Sequence, residues 1–178
     1  MDEDEPYVID WKLLQPFFYW AGVCLYRCQV FEYGLRYLIY LLVRNGMSRV
    51  TPEQALSTIE LRDKKTAGQL FGWMKDSGVK VDPESEEAIR TGLAARNEFI
   101  HGFLVNNDAM PDPEKRAALI KEMRGLRKKV EAADAKLRLF VGMLEKVMGF
   151  DSEASLKELR EEARRLNEPK DGGAGSLH

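Results

Sequence analysis

The sequence predicts an all-α helical bundle, and three observations carry that expectation: two long apolar series in heptad spacing, helix-start signals between them, and no alternating strand pattern. The first series runs Leu14, Phe17, Ala21, Cys24, Cys28, Phe31, Leu35, Leu38, Leu42, apolar at alternating steps of three and four. Such spacing lays one stripe along a single long helix, here expected over 13–44, bent at Pro16 and ended by Asn45-Gly46. The second series, Leu119, Met123, Leu126, Val130, Ala133, Leu137, Phe140, Leu144, Val147, predicts another long helix over 113–148. These two form the expected spine.

Between them, Thr51-Pro52-Glu53, Asp82-Pro83-Glu84 and Asp112-Pro113-Glu114 each join an N-cap, a first-turn proline and an acid suited to the helix dipole. Thr66-Ala67-Gly68-Gln69 carries the capping-box pattern. Shorter helices are therefore expected over 52–59, 66–76 and 83–104. Leu156, Leu159, Ala163 and Leu166 give an amphipathic helix over 152–167, and the glycine-rich end from 168 to 178 reads as a disordered tail. With 178 residues, 44% of them hydrophobic, a single domain over 8–167 suffices.

Composition narrows the function. A formal charge of -2 does not suit a protein held to nucleic acid by its overall charge, so any such binding needs a local basic patch. The acidic start, Met1-Asp2-Glu3-Asp4-Glu5, lacks the order of a signal peptide, and the expected location is the cytoplasm. The longest uncharged apolar run, Leu13 to Tyr26, is shorter than the ~20 residues of a spanning helix, so no membrane segment is expected. Cys24 and Cys28 fall on one apolar face and read as reduced core residues. With no second thiol pair or nearby histidine they complete no zinc site, and neither metal nor cofactor is expected. The absence of a Gly-rich phosphate loop removes nucleotide-hydrolase and Rossmann readings.

The helix beginning at Asp82 is the informative one. Its apolar stripe should run Ile89, Leu93, position 96, Ile100, Phe103, yet position 96 is Arg. A guanidinium there must find an anionic partner such as Glu98 or another bundle acid, reach a cleft, or lie at an interface. Asn97 and His101 are four apart, where the amide can orient the imidazole. His101 is the sole histidine before the terminal His178. On an ideal helix Arg96 and His101 point about 140° apart. Their convergence needs either a helix distortion near Gly102 or a cleft shared between subunits.

The run Arg96-Asn97-Glu98-Phe99-Ile100-His101 resembles the Arg-polar-x3-His signature of the HEPN superfamily, and the order of long helix, short elements, motif helix and long helix resembles its bundle. The resemblance spans roughly Trp11 to Phe150. It implies a metal-independent endoribonuclease, such as a toxin or phage-defence effector, in which His101 is general acid or base and Arg96 neutralises the scissile phosphate. Asn97 would orient His101 or contact phosphate. The implied products carry 2′,3′-cyclic phosphate and 5′-hydroxyl ends. It further implies a homodimer in which two motifs face each other, and an antitoxin or regulatory protein as partner. Position 103 is Phe where family toxins paired with a minimal nucleotidyltransferase carry the tyrosine that the partner modifies, so regulation by that route is not expected.

Lys115 to Lys129 is locally basic, and Arg124, Arg127 and Lys128 are the candidate RNA-binding residues, although a solvated helix face has the same composition. Tyr19, Tyr26, Tyr33 and Tyr40 recur every seventh residue and suit packing at the bundle edge or a dimer contact. Beside the ribonuclease stand two other readings: a HEPN-like module that binds RNA, nucleotide or protein without catalysis, and a plain helical interaction protein in which Arg96 pairs internally.

Overall fold

Heptad stripes and caps become helices largely where the sequence places them. A computed structural model describes residues 11–47, 49–60, 66–107, 112–149 and 154, and among these the chain is all-α with no strand. The helices are α1 (Trp11–Arg44), α2 (Pro52–Ile59), α3 (Ala67–Asp76), α4 (Pro83–Glu98), α5 (Leu104–Asn106) and α6 (Pro113–Val147), with a π-helical turn, Phe99–Phe103, between α4 and α5. Apart from Ala154, the helix expected over 152–167 and the tail from 168 lie outside the described residues, as do residues 8–10.

The termini follow from local hydrogen bonding. Thr51 and Thr66 each close a reciprocal capping box with the glutamine three residues on, and Asp82 and Asp112 accept backbone N–H groups of the turns they open. At the end of α1, Met47 N–H donates to the Leu42 carbonyl and Gly46 N–H to Val43, with Gly46 at φ +65°. This is a Schellman ending, which requires a left-handed residue and so favours glycine. Pro16 lies inside α1 without breaking it.

Both long stripes enter one core. Phe17, Cys24, Cys28, Phe31, Leu35, Leu38 and Leu42 of α1 are buried with Met123, Leu126, Val130, Ala133 and Leu137 of α6, together with Leu70 and Met74 of α3, Ile89 and Leu93 of α4, and Phe99 and Phe103 of the π turn. Val147 departs from its stripe and is exposed. The tyrosine row also divides. Tyr19, Tyr26 and Tyr33 are exposed, whereas Tyr40 is buried beneath α2 with Leu41, Leu56 and Ile59.

Helix α6 lies between α1 and α4, and glycine sets both approaches. A Cβ on Gly92 would collide with the Ala133 methyl and press on the Lys129 carbonyl, and one on Gly34 would come within 2.9 Å of Leu137 Cδ2. Gly92→Ala should therefore destabilise the fold by about 1–3 kcal/mol through overpacking, although helix propensity alone favours alanine by about 1 kcal/mol. Urea unfolding checks this, and adding Ala133→Gly should recover part of the loss.

Candidate active site

The site is made by a change of helical type. Helix α4 is regular through Glu98 and then gives way to the π turn Phe99–Phe103. A π turn closes its ring over five residues instead of four, so groups five apart approach one face. Arg96 and His101 are five apart, and Arg96 Nη1 lies 3.3 Å from His101 Nε2. Of the two routes to convergence that the sequence allows, the chain uses helix distortion. Arginine has no acceptor, so a hydrogen bond at this position takes the Nε2 lone pair of a neutral imidazole protonated on Nδ1.

Two expectations are corrected at this turn. Ile100 does not continue the apolar stripe. It is exposed, and Phe99 is buried in its place, whereas Phe103 is buried as the stripe predicts. Nor does Asn97 hydrogen-bond the imidazole. The Asn97 Oδ1 instead accepts from Arg96 Nη1 at 3.0 Å. The single helix expected over 83–104 is thus two helical segments joined by the turn that carries His101.

Arg96 finds its anionic partner on α1. Its Nη2 donates to Glu32 Oε2 at 2.6 Å, with the two side chains only 13% and 19% exposed. The second oxygen of Glu32 accepts from Arg36 Nη2, also at 2.6 Å, and Arg36 Nη1 donates to the Thr58 carbonyl of α2 at 2.7 Å. One carboxylate therefore joins guanidiniums from α1 and α4. Burial pushes the Glu32 carboxyl up, but the hydrogen bond from Arg36 and the charge and hydrogen bond of Arg96 outweigh it and hold the group below its ordinary value. In the sequence Glu32 and Arg36 stand as charges within an otherwise apolar helix. Their i,i+4 spacing is the signal that marks them as a pair.

Arg96 reaches the surface through Nη1, while its Nε is buried without a hydrogen-bond partner. Asn97 and His101 are exposed at the rim of an open depression of about 430 Å³, walled by Glu98, Gly102, Asn106, Asn107 and Glu122. One edge of the imidazole thus faces a guanidinium and the ring faces solvent, an arrangement that can take a proton beside an anion-binding group. Among the described residues no cluster of three or more His, Cys, Asp or Glu side chains could hold a metal ion.

The three basic candidates of α6 do not converge on this depression. Arg124 and Arg127 lie 4.9 and 5.3 Å from the centre of the Trp20 ring on α1, and Arg127 also pairs with Glu131, itself bound to Arg27. Lys128 lines a separate depression between α6 and α4, with Glu84 and Glu87. Cys24 and Cys28 are buried and free. A hydrogen bond with Cys28 and burial both push the Cys24 thiol up, which suits a core role.

No protein-family model matches the chain, and no match is found among curated proteins or solved structures. Among the described residues no helix is long and apolar enough to cross a membrane.

Glu32→Gln should lower stability by about 2–4 kcal/mol, because it strips the charge that compensates two largely buried guanidiniums. Urea unfolding at neutral pH measures that loss. The carboxyl is depressed in the folded state, so its stabilisation is complete above its unfolded value near 4.5 and disappears as pH falls through the lower folded value. The gap between wild type and Glu32→Gln should therefore close progressively below about pH 4.5.

Proposed function

We propose that this protein is a metal-independent endoribonuclease of HEPN type, working in the cytoplasm as a homodimeric toxin or phage-defence effector restrained by an antitoxin or regulatory protein. The observation that carries this reading is the approach of Arg96 Nη1 to His101 Nε2, 3.3 Å, at the edge of an open depression. It pairs a proton acceptor with a fixed positive charge, which is what transesterification of RNA requires.

In the reaction, a phosphodiester settles against Arg96 Nη1 and displaces the arginine from the Nε2 lone pair. His101 takes the proton of the ribose 2′-hydroxyl as the 2′-oxygen bonds to phosphorus. The bond from phosphorus to the 5′-oxygen breaks, and that oxygen accepts a proton from the imidazolium or water. The products are a 2′,3′-cyclic phosphate and a 5′-hydroxyl. Arg96 opposes the charge that builds on the phosphoryl oxygens, and Glu32 keeps its inner nitrogen in place. Asn97 tethers the outer nitrogen through its amide oxygen. Arg124, Arg127 and Lys128 would engage RNA away from the cleavage point.

A second reading rests on the 2.6 Å contact between Arg96 and Glu32. An arginine paired in this way also suits a non-catalytic helical module that binds RNA, nucleotide or protein. Incubation of single-stranded and structured RNA with purified protein in excess EDTA separates the two. Cleavage with cyclic-phosphate ends is expected from wild type, falling at least about 100-fold in His101→Ala, the usual contribution of a general acid–base group. Equal inactivity of both proteins, with RNA still bound, would establish the module instead.

A further inference from the structure

We propose that the exposed face of α1 between Trp11 and Tyr33 is the contact between two copies of this chain, packed antiparallel about a twofold axis at Gly22. This deepens the homodimer part of the functional reading and stands apart from its catalytic part.

Along α1 the residues facing away from the bundle are Trp11, Gln15, Phe18, Tyr19, Gly22, Leu25, Tyr26, Gln29 and Tyr33, all of them exposed. The aromatic ones are large contributors: Trp11 is 65% exposed, Tyr19 63% and Tyr26 60%. None of the nine is charged. Of the nearby charges, Lys12 flanks Trp11, Gln15, Phe18 and Tyr19 at the N-terminal end of the face, while Arg27, whose guanidinium also lies 5.8 Å from the Tyr26 ring centre, and Glu32 are held in ion pairs with α6 and α4. Farther along the helix, Tyr40 of the same tyrosine row is covered by α2. A face of this kind on the remaining two-thirds of α1 calls for a partner, since soluble monomers rarely expose so large an apolar patch.

The identity of that partner is written in the order of the residues. Counting outward from Gly22, Tyr19 stands opposite Leu25, Phe18 opposite Tyr26, Gln15 opposite Gln29 and Trp11 opposite Tyr33. The row is palindromic in chemical character. A twofold axis brings each residue onto its counterpart in the other copy, which is what an isologous interface demands. At the centre, a Cβ on Gly22 would meet nothing within 4 Å, so the surface is open where two helices would cross most closely. Full aromatic side chains carry about 150–250 Å² each. At these exposures the face offers on the order of 600 Å² per copy, or about 1,200 Å² across two, the lower bound of a specific interface.

The geometry also locates the sites. Glu32 lies ten positions from Gly22, about 15 Å along the helix. The two Arg96–His101 pairs would stand roughly 30 Å apart along α1, each within its own chain, and not face each other as the resemblance implies.

The test combines mass with register. Wild type should sediment at twice the monomer mass of 20.4 kDa, and the double variant Tyr19→Glu, Tyr26→Glu as a monomer with unchanged helical circular dichroism. Mild oxidation of Gln15→Cys mixed with Gln29→Cys should give a cross-linked dimer. Either variant alone should not, because its two thiols would stand about 21 Å apart. Cys24 and Cys28 are buried and do not compete. Monomeric wild type at about 100 µM, a dimer that persists in the Tyr19, Tyr26 variant, or equal cross-linking by each single variant would overturn the interface. Wild-type monomer that cleaves RNA removes the interface alone. A register-specific dimer without cleavage supports the interface and removes only the catalytic reading.

Discussion

Glu32 stands where three helices meet. Its oxygens take one guanidinium from its own helix and one from α4, and Arg36 passes the connection to the Thr58 carbonyl on α2. Removing a carboxylate and two guanidiniums from water is costly, and the short contacts offset that cost only while all the partners remain. The α1–α4 spacing at this level, the conformation of Arg96 and the docking of α2 are consequently set together. Apolar packing cannot impose such a constraint, because a leucine in place of Arg96 could slide between several contacts whereas a forked donor cannot.

The π turn is the second constraint. Glu32 holds Arg96 at the inner edge of α4, so a regular helix would point His101 about 140° away. Widening the turn to five residues brings the two together and also lets Phe99 and Phe103 share the core, where they lie 5.9 Å apart between ring centres. Ile100 is the residue displaced by this choice. Packing of the phenylalanines thus opposes a return to regular helix, and the contact between arginine and histidine is supported from the apolar side of the segment as well as from the polar side.

Sequence periodicity revealed the helices because each stripe is long and each start carries its own cap, so local and tertiary preferences agree. It did not reveal the site in full. The π turn breaks the period on which such reading depends, so the pattern points Ile100 inward where the fold turns it out. The pairing of Glu32 with Arg96 has no sequence signal, because the two are 64 positions apart and nothing in a one-dimensional pattern links them. Arg124, Arg127 and Lys128 cluster in sequence, yet Arg124 and Arg127 lie against Trp20 of α1 while Lys128 lines the flank of α6 that faces α4. The anomaly at position 96, by contrast, was legible: an arginine within an apolar stripe must be satisfied, and the bundle satisfies it from α1.

The pairing of Arg96 with Glu32 bears directly on the proposed chemistry, because a neutralised arginine is a poor anion receptor. Two features keep this one competent. The cluster holds two guanidiniums against one carboxylate, so Glu32 does not neutralise both, although Glu98 and Glu122 also line the depression. Arginine is also a planar fork with separate donors, so Nη2 can remain on Glu32 while Nη1 faces His101 and solvent. A lysine would place one compact charge and could serve only one side well. The buried half of Arg96 thus fixes the exposed half in a single orientation, and a phosphate approaching His101 would meet a donor already aimed at it without the entropic cost of ordering a free side chain.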